Sequence, residues 1–212
     1  PNNPDHFTAL KLNHLQRFRT GVYDYAVMTS VFVDPSQGFR PVKQTFSAQE
    51  WCGHVYEEAR WTGSKASVRV DSYFEGETTR ETAVGLAISE DALWIIARGL
   101  AAGGPGQNVP SGSALGRSLL RRLRHQPLKT FNARFDWGPA ETSQVPAGRF
   151  QVRPLSWTRG DGVACTLRVE VASPYRIIGW SCSDGEKAEL TGSVRVPYWQ
   201  KVSKLDEGLL KV

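Results

Sequence analysis

Glu50-Trp51-Cys52-Gly53-His54 is the densest run of reactive side chains in the chain. In an extended strand, residues two apart share a face. Glu50, Cys52, His54 and Tyr56 would then line one side, with Trp51 and Val55 on the other. A thiolate, an imidazole and a carboxylate on one face suit zinc or copper. They equally suit an activated thiol, with His54 as the base for Cys52. A metal site needs further ligands from elsewhere, and His14, His6 and Asp24 are the candidates. In the plainer reading, Cys52 packs as a small apolar residue and His54 makes a structural hydrogen bond. The pattern leaves both open.

The other two cysteines, Cys165 and Cys182, flank Ser173-Pro174 at equal distances. Leu167, Val169 and Val171 alternate with Thr166, Arg168 and Glu170, and the returning segment puts Ile178, Trp180 and Cys182 on one face. Pairing 165 with 182, 167 with 180 and 169 with 178 sets apolar against apolar throughout, so alternation and register agree. Opposed cysteines have a separation that a disulfide nearly accepts. Such a bond implies an extracytoplasmic location: periplasmic, outer-membrane-associated or secreted. If Ser183-Asp184-Gly185 is a three-residue loop with Gly185 left-handed, Trp180 faces Ala188 and Ile178 faces Leu190. Residues 163–196 then form a three-stranded meander, and Cys52 is left without a partner.

Charge is local. Residues 113–134 carry Arg117, Arg121, Arg122, Arg124, Lys129 and Arg134 and no acid, which leaves 20 basic against 21 acidic residues elsewhere. This argues against a broad basic face for nucleic acid. Arg117, Arg121 and Arg124 on one helix side, opposite a stripe of Leu115, Leu119 and Leu123, are candidates for contact with lipid headgroups, another amphiphile, an acidic envelope protein or another anionic surface. The plainer reading is a solvated face over a packed stripe. Trp94, Trp137, Trp157, Trp180 and Trp199 are candidates for lining a ligand-binding concavity, although tryptophans at such positions also serve as core or rim. There is no phosphate loop, Gly-x-Ser-x-Gly elbow, His-Glu-x-x-His or Cys-x-x-Cys.

The elements that must position these residues read as mainly β. Strands are expected over 7–19, 26–33, 42–48, 50–60, 66–74, 78–86, 130–137, 150–157 and 163–171, separated by Gly-, Pro- and Asp-rich turns. One helix is expected near 89–102, with Ser89 as cap, Glu90 and Asp91 in the first turn, and Leu93, Ile96, Ala97 and Leu100 at helical spacing. Gly103-Gly104-Pro105-Gly106 ends it, and about 103–113 reads as a mobile loop. Residues 113–124 read as a second helix or as part of a strand. At 212 residues and 40% hydrophobic content the chain can bury one full core. Its longest apolar run, residues 92–97, is far too short to span a bilayer. The chain begins at Pro1 and its only methionine is Met28. The natural N-terminus, with any signal or lipid anchor, is therefore expected to lie before Pro1.

Several scattered segments resemble an uncharacterised family of bacterial secreted or envelope proteins. They are Val145-Pro146-Ala147-Gly148-Arg149-Phe150, the run from Pro174 to Trp180, Asp184-Gly185, Glu189-Leu190-Thr191-Gly192-Ser193 and Pro197-Tyr198-Trp199. Lys11-Leu12-Asn13, Thr20-Gly21-Val22-Tyr23-Asp24-Tyr25 and Gln49-Glu50-Trp51-Cys52-Gly53-His54 add to the likeness. The resemblance implies a curved antiparallel half-barrel similar to the outer-membrane lipoprotein-carrier fold, and a place in the cell envelope. It implies no activity. The expectation is a single β domain over 1–212 that binds an apolar or amphiphilic ligand, or an envelope partner, in the concavity of its sheet. The alternatives are a metal- or thiol-dependent enzyme built on Cys52 and His54 and a structural subunit of a surface assembly.

Overall fold

A computed structural model describes residues 6–63, 65–85, 88–103 and 107–211, without the side chains of residues 80, 81, 210 and 211. The first half is an antiparallel meander of β1 (Leu10–Thr20), β2 (Tyr23–Asp34), β3 (Arg40–Glu50), β4 (Gly53–Thr62), β5 (Lys65–Ser72) and β6 (Thr79–Gly85), paired in sequence order. Alternation sets its two faces. Val27, Val31 and Val33 of β2, Phe46 and Ala48 of β3, Val55, Ala59 and Trp61 of β4, and Ala66 and Val68 of β5 are buried on one face. Tight turns follow the local chemistry. After β2, Asp34 accepts a hydrogen bond from the Ser36 N–H at 2.8 Å, Pro35–Gln37 form a 3₁₀ turn, and Gly38 takes φ +66°.

The chain then crosses the covered face. β7 (Ile88–Ser89) leads through a 3₁₀ turn (Glu90–Ala92), capped by Ser89, into helix α1 (Leu93–Ala102). This is the expected helix, and its apolar stripe packs into the largest core cluster with Val31, Val33, Leu155 and Leu167. The stretch expected to be a mobile loop falls partly on residues 104–106, outside the described residues. Beyond them Val109 is buried in the same core. Strand β8 (Gly112–Leu115) follows, then helix α2 (Ser118–Leu123) and strand β9 (Thr130–Ala133). Residues 113–124 are therefore strand first and helix second. β7, β8 and β9 form a small sheet in which β7 and β8 run parallel.

The last sheet holds β10 (Phe135–Trp137), β11 (Glu141–Val145), β12 (Gly148–Thr158), β13 (Ala164–Glu170), β14 (Ile177–Cys182) and β15 (Lys187–Glu189). The protein is thus mainly β, with antiparallel sheets that do not close and short helices. Cys165 pairs with Cys182 and Leu167 with Trp180 as the alternation requires, and a disulfide joins the two cysteines. Trp180 faces Ala188, as the three-residue loop predicts. One pair differs. A bulge between Arg168 and Val169 sets Val169 opposite Ile177. Ile178 then packs with Val145 and Val152 in a separate cluster. Beyond the last strand, Pro197 precedes a 3₁₀ turn over Tyr198–Gln200.

Candidate functional site

α2 lies across the covered face of the first sheet, and a cavity of about 280 Å³ remains between them. Phe46 from β3, Val55 from β4, Val70 from β5 and Leu128 supply apolar wall. Ser118, Arg121, Arg122 and His125 supply the polar wall, with Glu57 from β4 and Glu77. The volume lies just under the range of about 300–1,000 Å³ usual for small-molecule pockets, and the mixture of apolar wall and few polar groups is typical of them. A wider depression of about 800 Å³ beside Phe18 and Tyr25 has mostly exposed walls. A pocket of about 410 Å³ between Phe39, Trp61, Ile88 and Ile96 is mainly apolar, with Gln37 and Arg40 as its polar lining. The cavity under α2 combines apolar wall with converging buried charge, as does one of about 330 Å³ on its other side, where Leu120 and Phe131 meet Glu90, Arg117 and Arg159.

The buried charge is heavily paired. Arg121 is ion-paired with Glu57, and the Ser118 hydroxyl donates to Glu57 at 2.8 Å. Gln44 Nε2 donates to Asp91 at 3.1 Å, and Asp91 also accepts the Ser118 backbone N–H at 2.9 Å. These bonds tie the sheet to the starts of both helices. Arg122 donates through Nη2 to Glu50 at 3.1 Å and to the Tyr73 hydroxyl at 3.3 Å, and its guanidinium lies 4.1 Å from the Phe74 ring centroid. Its Nε is buried with no hydrogen-bond partner. Burial opposes the charge on Glu50, but hydrogen bonds from Tyr73 and the Cys52 N–H, with the Arg122 charge, hold its carboxyl below the ordinary range. Burial, then the bond to Glu50, pushes the Tyr73 hydroxyl well above its ordinary range. At the cavity edge His125 Nδ1 lies 2.7 Å from Glu77, and its ring meets Phe74 edge-on at 4.5 Å.

A second charged cluster lies on the other side of α2. Arg117 pairs with Glu186, which also accepts from Trp180 Nε1 at 2.9 Å. Arg159 lies 3.5 Å from Glu186 and is ion-paired with Asp161 and Asp184, while Arg124 reaches Asp161 at 2.6 Å. Burial works against the charge on Asp161, yet hydrogen bonds from Arg159 and Arg124 bring its pKa down to about 2. Trp157 Nε1 donates to Glu90 at 3.0 Å in the interior.

The candidate residues now have definite places. Trp51 and Cys52 form the turn between β3 and β4 and are not part of a strand. The expected common face therefore breaks. Glu50 points under the sheet, Cys52 is an exposed free thiol, and His54 is exposed at a position alternate to buried Val55. His14 sits between Trp94 and Trp180, at centroid distances of 5.6 and 5.9 Å, and Asp24 is held by Arg19. Among the described residues no group of potential metal ligands includes Cys52 or His54. Cys182, Asp184 and Glu186 do converge, but the Cys182 sulfur is in the disulfide.

The basic segment is also corrected. Arg117 and Arg121 are 4% and 9% exposed and face inward into ion pairs, so they are not open to an external surface. Arg124 is exposed and paired with Asp161 and Asp184. A short α2 with acidic partners on both sides leaves no solvent side for Arg117, at its N-terminus, or for Arg121. Trp94 and Trp157 are core residues, Trp137 and Trp180 pack against that core, and Trp199 is exposed far from it in the chain. Gln44, Glu57 and Ser118 have no place among the candidates from sequence, Glu90 and Asp91 are expected only as first-turn acids of α1, and Arg122 only as part of the basic segment. Glu57 carried a signal: it is an acid at the inward position of an otherwise apolar alternation, Val55, Ala59, Trp61. Such a residue requires a buried partner. Comparison with family models, curated proteins and solved structures gives no match.

Proposed function

We propose that this is a non-catalytic binding protein whose cavity under α2 takes an amphiphile with an anionic head. The observation that carries this reading is the convergence of an apolar wall, Phe46, Val55, Val70 and Leu128, with the side chains of Arg121, Arg122 and His125 on one cavity. An apolar wall with a few polar groups that fix orientation is the usual make-up of a ligand site. A carboxylate or phosphate head would accept from Arg122 while its hydrocarbon covers the apolar wall. Burial makes that charge-assisted bond strong and the specificity high. An extracytoplasmic location fits the disulfide and the resemblance to envelope proteins. No described helix is long and apolar enough to cross a membrane.

Calorimetric titration with decanoate and with decanol tests the reading. Decanoate is expected to bind saturably and at least tenfold more tightly than decanol, about 1.4 kcal/mol. Arg122→Gln should remove that preference. Val70→Phe, which fills the apolar side, should weaken both ligands. Absence of saturable binding by either ligand refutes the site, and a preference that survives Arg122→Gln refutes the role of Arg122. Circular dichroism of each variant separates lost binding from lost fold.

A further inference from the structure

The last twenty or so residues form an arm that the body of the protein does not cover. The chain is held to the last sheet as far as Leu190, whose N–H donates to Ile178 at 2.9 Å and whose carbonyl accepts from Ala147 at 3.0 Å. No described residue beyond Leu190 enters a core cluster. Yet the arm is rich in large apolar side chains. Trp199 is 67% exposed, Val202 87% and Leu205 94%, and Val194 and Tyr198 are exposed as well. Scattered exposed apolar residues are ordinary, but a run of them on one segment marks a surface meant to be covered.

The arm is nevertheless shaped. Tyr198–Gln200 and Lys204–Lys211 are 3₁₀ turns. Gln200 N–H donates to the Pro197 carbonyl at 2.8 Å and Lys201 N–H to the Tyr198 carbonyl at 3.0 Å. Ser203 and Asp206 form a reciprocal cap: Leu205 N–H donates to the Ser203 hydroxyl at 3.2 Å, and Ser203 N–H to Asp206 at 3.1 Å. These backbone groups bond locally, so the arm offers little of a strand edge for another chain. Trp199 lies on the first of these turns, Leu205 and Leu209 on the second, and Val202 on the non-helical link between them, so large apolar side chains are exposed along the length of the arm.

Charge decides what covers these side chains. Residues 195–211 carry Arg195, Lys201, Lys204 and Lys211 against Asp206 and Glu207, and the whole chain has a net charge of +5. A second copy of the chain would present like charge to this arm. An anionic lipid surface presents the opposite charge. Tyrosine and tryptophan favour the boundary between headgroups and hydrocarbon, and an exposed segment that mixes aromatics and leucines with basic side chains suits that boundary. We propose that residues 191–211 form a membrane-surface arm that seats Tyr198, Trp199, Val202 and Leu205 in the interface of an anionic bilayer, with Arg195 and Lys204 at the headgroups.

Flotation of the full chain with vesicles tests this directly. Vesicles of phosphatidylcholine mixed with phosphatidylglycerol should bind at least tenfold more protein than phosphatidylcholine alone, and raised salt should reduce the difference. A Trp199→Ser, Leu205→Ser double variant should lose at least tenfold in binding to the anionic vesicles. An Arg195→Glu, Lys204→Glu double variant should lose the preference between vesicle types. All four positions are exposed, so the fold should persist, and unchanged decanoate binding would report an intact body. Failure of the wild type to float with anionic vesicles overturns the proposal, as does undiminished flotation of the serine variant. Sedimentation that instead shows self-association, abolished by the serine variant, would assign the arm to a second copy.

Discussion

Glu90 shows how one buried side chain ties the starts of both helices to the last sheet. It lies in the turn before α1, accepts from Trp157 Nε1 at 3.0 Å and from the Arg117 N–H at 3.3 Å, and is almost wholly buried. Burial is the largest influence on it and raises its pKa to about 7; Trp157 and the charges of Arg117 and Arg159 oppose the rise, and Asp91 adds to it. The folded state therefore holds a proton that the unfolded chain has released. The stability this contributes is fully present below the unfolded pKa and is lost as pH rises through the folded one. Between about pH 4.5 and 7 the loss amounts to about 3 kcal/mol. His14 acts in the other direction. Burial and then the Arg117 charge lower its pKa, so it favours folding more as pH rises toward its ordinary value. The total pH profile mixes the two, and a difference against Glu90→Gln isolates one. Urea denaturation should show Glu90→Gln gaining on the wild type by on the order of 2–3 kcal/mol from pH 5 to pH 8. A difference that stays flat with pH would mean that Glu90 is ionised throughout.

Among the elements, the pairing of β14 with β15 is the sharpest case of sequence fixing structure. Gly179 faces Glu189 in that register, and a Cβ at Gly179 would meet the Ala188 carbonyl oxygen at 2.6 Å. The neighbour is backbone and cannot swing aside. Gly179→Ala should therefore push β15 away and destabilise the protein by about 1–3 kcal/mol, the usual scale of overpacking. Denaturant melts would measure it, and a neutral substitution would refute the register. This meander was legible because its alternation, its cysteines and its loop all required one pairing. The bulge at Val169 was not, since an inserted residue leaves the composition of both strands unchanged. α1 was legible from Ser89, Glu90 and the leucine spacing. The face shared by Glu50, Cys52 and His54 failed for a simple reason. A two-residue turn falls inside the run, and a turn resets which side each following residue takes. Arg117 and Arg121 read as solvent-facing because their partners, Glu186 and Glu57, lie 69 and 64 residues away. No local pattern announces an ion pair closed across the fold.

For the molecule as a whole, the disulfide and the core bear on stability to different degrees. The first sheet, α1 and the last sheet share one large cluster that runs from Val31 and Val33 through α1 to Leu155 and Leu167, while Leu119 of α2 packs in a separate one with Val27, Phe46 and Val55. A chain of this length buries enough surface to fold without covalent help. The Cys165–Cys182 bond closes a separation of only 17 residues, and a loop of that size stabilises by about 3 kcal/mol in the chain-entropy account. Reduction should therefore lower the melting temperature by on the order of 10 °C and leave the secondary structure in place. Thiol labelling gives the complementary measurement. The native protein should react at one site, Cys52, which sits exposed on the turn after β3. After reduction and unfolding it should react at three. Three reactive thiols in protein kept free of reductant would show that the bond does not form. The extracytoplasmic proposal would then lose its main physical support, because opposed cysteines that stay reduced belong to a reducing compartment. Amphiphile binding under α2 would survive that result, because neither cysteine lines the cavity.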